Sequence, residues 1–144
     1  NIEMVEEAAE GLIGLGLGLT PSADDTLSGI MTGLYILGNS FPQYKNYILA
    51  VNKAIISKVD VTRTTLVSKE FLEHSARGEV AETVNSVITD ILSPSENLLN
   101  SRVNTLLKMG ETSGTDITLG IILGLRMGLE LIRDTFKEPL NVIS

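Results

Sequence analysis

Ser22-Ala23-Asp24-Asp25-Thr26-Leu27-Ser28-Gly29-Ile30-Met31-Thr32-Gly33-Leu34 has a second copy in Ser113-Gly114-Thr115-Asp116-Ile117-Thr118-Leu119-Gly120-Ile121-Ile122-Leu123-Gly124-Leu125. Both read S-x-x-D-x-x-x-G-x-x-x-G-L, offset by 116 − 25 = 91 residues. Ser followed three residues later by an acid is the capping-box signature of a helix start. Four residues make about one helical turn, so Asp25, Gly29 and Gly33 share a face, as do Asp116, Gly120, Gly124 and Gly128. A glycine inside a helix costs about 1 kcal/mol against alanine, so a stripe of them calls for a compensating close approach of another backbone. Crossing in parallel, the two helices would bring both Ser-x-x-Asp ends together; antiparallel, they would hold them apart. The sequence leaves both open, and duplicated ends make most sense when pooled.

Working outward, the apolar fraction of 43% over 144 residues describes one globular domain with a real core. A formal net charge of −7 and scattered basic residues argue against nucleic acid and acidic membrane surfaces as partners. There is no cysteine, hence no disulfide and no thiolate chemistry, and the single histidine, His74, rules out multi-histidine metal centres. Ile117 to Ile132 is apolar on nearly every face, but its length, Arg126 and Glu130 speak against a membrane span and for the buried centre of a bundle. The expected location is cytoplasmic. Asn1 is not an initiator, and a single helical domain over 1–144 is expected to be the C-terminal part of something longer.

Periodicity predicts an all-α chain, a bundle of about seven helices with two buried, glycine-rich central ones in a pseudo-repeat. The helices expected are Ile2 to Ile13, Ala23 to Leu37 (stopped by Gly38-Asn39), one opened by Pro42, Thr62 to Gly78, and Glu79 to Leu92. One begins at Ser93-Pro94-Ser95-Glu96 and runs to Met109, and the last ends near Phe136, with Pro139 closing the order.

Gly14-x-Gly16-x-Gly18 lacks the spacing and the preceding strand of a dinucleotide fingerprint, and no P-loop is present. These glycines either let backbone amides approach a ligand or form a hinge against the core. Asp24 and Asp25 point about 100° apart on a helix, so one ligand does not easily use both. Asp25 and Asp116 are the pair to weigh for acid–base work or Mg²⁺, against the plainer reading of two acids favoured by helix dipoles. Two helix N-termini make a natural anion site. Thr62-Arg63-Thr64-Thr65-x-x-Ser68 opens another helix, and Arg63 has the fork for a carboxylate or phosphate, unless it is simply a solvated helix start.

Gly14 to Asp25, Thr62 to Ser68 with Ala76-x-Gly78 behind it, and Gly110-Glu111-Thr112-Ser113-Gly114-Thr115-Asp116 stand in the same order as in the AllH-like family, which this chain resembles from about Leu12 to Gly128. That family includes a subunit of oxamate carbamoyltransferase, an enzyme of anaerobic allantoin breakdown. Where it reads Gly-Pro-Gly-Leu-Thr-Pro-Ser-Gly-Asp-Asp, this chain has Leu17 for the proline and Ala23 for the glycine; the first should loosen the loop and the second adds a methyl where a ligand or another backbone would approach. The resemblance implies carbamoyl transfer, from oxalurate and phosphate to oxamate and carbamoyl phosphate, beside other protein subunits. No organic cofactor is expected. The candidate site comprises Asp25 and Asp116 as catalytic residues. The substrate contacts expected are Gly18, Thr20, Ser22 and Asp24, then Arg63, Thr64, Thr65 and Ser68, then Thr112, Ser113 and Gly114. The alternatives are a non-catalytic anion-binding or assembly module, and a purely structural helical domain.

Overall fold

Ser22–Ser40 forms the helix around which the chain is organised, and the computed structural model describes residues 1–93 and 98–137. In chain order the elements are α1 (Ile2–Leu12), α2 (Ser22–Ser40), a 3-10 turn (Pro42–Tyr44), α3 (Lys45–Ile56), α4 (Leu66–Ala76), α5 (Glu82–Leu92), α6 (Leu98–Leu107) and α7 (Ser113–Lys137). No strand occurs among the described residues, so the all-α expectation stands. None of the described helices is long and apolar enough to cross a membrane.

Two hydrophobic clusters share α2. Ala9 and Ile13, Leu27, Met31 and Leu34, Ile48 and Ile55, and Leu72 pack α1, α3 and α4 on one side. Ile36, Val84, Val87, Ile88, Leu106 and Ile121 pack α5, α6 and α7 on the other. Burial of this apolar area is the main stabilising term.

Three local boundaries differ from the sequence expectation. α2 runs through Gly38-Asn39 to Ser40, because Gly38 is buried against the Ile48 side chain and serves packing with α3 rather than a helix end. α4 starts at Leu66, not Thr62: Asp60 takes the N–H groups of Thr62, Arg63 and Thr64 into a turn, and Thr65 caps the helix by accepting from the Ser68 N–H. α5 starts at Glu82. The start signal at Ser93-Pro94-Ser95-Glu96 and the stop at Pro139 fall on or beside residues 94–97 and 138–144, outside the described residues.

α7 is buried along its glycine stripe, whereas Leu119, Ile122, Met127 and Leu129 are about half exposed on the other side. An apolar helix buries only the faces that meet a partner, and here the dominant partner is α2.

Candidate functional site

Parallel crossing of α2 and α7 creates the site. A Cβ built on Gly29 would meet Ile117, Gly120 and Ile121, and one on Gly33 would meet Ile121, Gly124 and Leu125. The partner numbers rise together, so the helices point the same way and their starts lie side by side. The two starts touch directly, with Thr20 Oγ1 and Ser113 Oγ 3.1 Å apart.

The capping-box reading does not hold at α2. Pro21 occupies the cap without a side-chain hydrogen bond. The Ala23 N–H donates to the Leu15 carbonyl at 3.0 Å and the Asp25 N–H to the Pro21 carbonyl at 3.1 Å. The Asp25 N–H is thus served by backbone rather than by the Ser22 hydroxyl, and the Asp25 side chain lines a cavity. At α7 the Gly114 N–H donates to Met109 O at 2.9 Å and the Asp116 N–H to Thr112 O at 2.9 Å.

Asp24, 1% exposed, points the other way. It accepts from the Gly14 N–H at 2.8 Å, the Ser68 hydroxyl at 2.6 Å and the Thr64 hydroxyl. The Thr65 hydroxyl donates to the Leu19 carbonyl. These bonds fasten the glycine loop and the 62–68 segment to α2. Gly14 has φ +82, and a Cβ there would lie 1.9 Å from the Arg63 carbonyl oxygen, so no larger residue fits.

The cavity, about 340 Å³, lies between α2, α4, the 79–84 segment and the start of α7. α2 contributes Asp25, Ser28 and Thr32, which follow one another at helical spacing on a single face. α4 contributes Phe71, His74 and Ser75, and the hydroxyls of Ser28 and Ser75 hydrogen-bond across the gap. Glu79, Val80, Ala81, Val84, Met109, Gly110 and Ile117 complete the wall with Thr20 and Ser113. His74 Nδ1 hydrogen-bonds Glu79, which Arg77 also holds. The Glu79 carboxyl lies below its usual range, first through the Arg77 hydrogen bond and then through His74.

Asp25 is 5% exposed, and burial pushes its carboxyl above the ordinary aspartate value. Hydrogen bonds from the Ser113 and Thr20 hydroxyls oppose that rise, and the charges of Asp116 and Asp24 add to it. Its Oδ2 is buried with no hydrogen-bond partner, as is Oδ2 of Asp116. An unsatisfied buried carboxylate oxygen costs free energy, and such perturbed acids cluster at functional sites.

Of the residues singled out from sequence, Thr20, Asp25 and Ser113 meet at this cavity. Asp116 lies one turn behind, close enough for its charge to act on Asp25. Gly18 is exposed, Ser22 gives its carbonyl to the Thr26 hydroxyl, and Gly114 packs its Cα against the Leu106 carbonyl. Arg63 is bound to the carbonyl and carboxylate of Glu10 on the outer surface. Thr112 lends its carbonyl to α7. Ser28, Thr32, Phe71, His74, Ser75 and Glu79 were not read from sequence; the spacing of Ser28 and Thr32 from Asp25 was the available signal. Among the described residues no group of three or more His, Asp or Glu stands ready to hold a metal ion.

The family model described as oxamate carbamoyltransferase subunit AllH matches residues 12–125. The chain belongs to that family. The match spans the glycine loop, the Asp24 anchor, the Thr64–Ser68 segment and the paired starts of α2 and α7, so every wall of the AllH-family cavity lies within it. No solved structure matches the chain.

Proposed function

We propose that this chain is a subunit of a carbamoyltransferase that converts oxalurate and phosphate to oxamate and carbamoyl phosphate, and that the cavity between the starts of α2 and α7 holds the carbamoyl substrate. The observation that carries the reading is the parallel crossing, which pools Thr20, Asp25 and Ser113 at one cavity in a member of the AllH family. The positive ends of two helix dipoles converge there and favour the anionic part of a ligand. The hydroxyls of Thr20 and Ser113 are bonded to each other and to Asp25, and so fix that carboxylate at the cavity in which the carbamoyl group would lie.

Asp25 is the residue assigned to the reacting group, and Asp116 tunes it through charge. Other protein subunits complete the enzyme, in keeping with the family's description as a subunit. Their contribution matters electrostatically: among the described residues no Lys or Arg lines the cavity, and the chain carries −7 overall, while every reactant is an anion.

The test is phosphorolysis of oxalurate by the enzyme assembled with its partner subunits. Thr20→Val with Ser113→Ala should lower the rate by about tenfold or more with assembly intact. An unchanged rate would overturn the placement of the site.

A second reading, a non-catalytic assembly module, draws on Leu17, which is 94% exposed at the tip of the glycine loop beside exposed Leu15 and Leu19. Retention of assembly and activity in Leu17→Ser would count against it.

A further inference from the structure

One wall of the cavity is an open edge of a hydrophobic core. Val84 is buried in the cluster that packs α5, α6 and α7 together, Val80, Met109 and Ile117 pack against it, and all four line the cavity. Ile117 stands one turn beyond Ser113 on α7, and the Thr83 hydroxyl donates to the Met109 sulfur at 3.7 Å. Phe71 joins them from α4, half exposed where it lines the cavity. The polar groups of the wall already have partners. The Ser28 and Ser75 hydroxyls bond each other at 2.5 Å, and the Thr32 hydroxyl donates to the Ser28 carbonyl at 2.8 Å. Thr20 and Ser113 serve each other and Asp25, and His74 is tied to Glu79. Asp25 and Glu79 line the cavity, and among the described residues no Lys or Arg does. A carboxylate inside would face two acids without a counter-ion, whereas an uncharged hydrocarbon would bury apolar surface against the open core edge. The volume, about 340 Å³, is that of a site for an organic ligand.

We propose that the cavity takes uncharged N-acylureas, R–CO–NH–CO–NH2, in which R is a short aliphatic chain packed on Phe71, Met109 and Ile117. This rests on the carbamoyltransferase reading and extends its substrate range beyond oxalurate, in which a carboxylate stands in the place of R. The reaction keeps its form. An oxygen of hydrogen phosphate bonds to the terminal ureido carbon, the bond from that carbon to the acyl-bearing nitrogen breaks, and the phosphate proton passes to that nitrogen. The products are carbamoyl phosphate and the acyl amide R–CO–NH2. The leaving nitrogen is an amide nitrogen, as in oxalurate, so the change of R alters what the wall touches and not the bond that breaks.

The test is phosphorolysis of acetylurea, propionylurea and butyrylurea by the enzyme assembled with its partner subunits, followed as release of carbamoyl phosphate, with oxalurate as the reference. Along the series kcat/KM should rise, through KM, by about three- to fourfold for each CH2 that becomes buried. Phe71→Ser, at a half-exposed position, should flatten that dependence with the fold intact, and Met109→Gln should do the same. The wild-type series decides the matter even if Met109→Gln does not fold. Turnover of oxalurate but of none of the three acylureas, a KM that does not fall with chain length, or a dependence that survives Phe71→Ser would each overturn the inference and leave the carbamoyltransferase reading standing. Absence of turnover of all four, oxalurate included, would overturn both.

Discussion

Gly29 of α2 and Gly120 of α7 face each other so closely that a methyl group on either would lie 2.8 Å from the other's Cα. Each would also strike a backbone carbonyl, Ile117 O at 2.3 Å or Thr26 O at 2.1 Å. Real Cβ atoms do not sit so near backbone, so the helices would have to separate. Gly29→Ala and Gly120→Ala should each destabilise the fold by about 1–3 kcal/mol, outweighing the helix propensity gained. Gly11→Ala in α1 meets nothing within 4 Å and should stabilise by about 0.5–1 kcal/mol. Urea unfolding of the three variants checks both signs; a stabilised Gly120→Ala would refute the close crossing.

Asp24 is a structural anchor whereas Asp25 lines the cavity, although they are neighbours in sequence. Asp24→Ala leaves the Gly14 N–H and the Thr64 and Ser68 hydroxyls without their buried acceptor. The expected cost is about 3 kcal/mol or more, read as a lowered urea midpoint.

Asp25 also carries a pH dependence of its own. Asp25's folded pKa is raised by burial, so the folded state binds a proton more readily than the unfolded chain between the two values. The stability contribution is therefore fully present below the ordinary aspartate pKa and is lost as pH rises through the raised folded value. Asp25→Asn has no such loss, so it should melt at a higher temperature than wild type at pH 7, with the gap closing on acidification. A lower Tm at pH 7 would contradict the carboxylate's being unsatisfied.

Ser113 and Thr20 hold the Asp25 pKa down by hydrogen bonding. Ser113→Ala should move it further up, followed through the Asp25 carboxyl carbon by NMR titration. A downward shift would show that the two helix starts are not joined as described.

The glycine repeat made the crossing legible, because stripes of glycine at one-turn spacing demand a close backbone partner. The direction of crossing was not legible: periodicity fixes a face but carries no sign along the axis. Ser22 read as a cap because its spacing to Asp25 fits a capping box, yet Leu15 and Pro21 supply backbone carbonyls to the helix start, which no side-chain pattern announces. Arg63 looked like an anion fork, but Glu10, far away in sequence, claims it. His74 was given no role and Ser75 went unread because α4 has polar residues on several faces, and only its packing on α2 reveals which of them line the cavity.

The most direct test of the account maps oxamate onto the chain by backbone amide chemical shifts, in the enzyme assembled with its partner subunits. The account predicts saturable shifts centred on Thr20, Asp25, Ser28 and Ser113, lost in Ser113→Ala with Thr20→Val. Shifts centred on Gly18 and Arg63, with the α2–α7 junction silent, would contradict it.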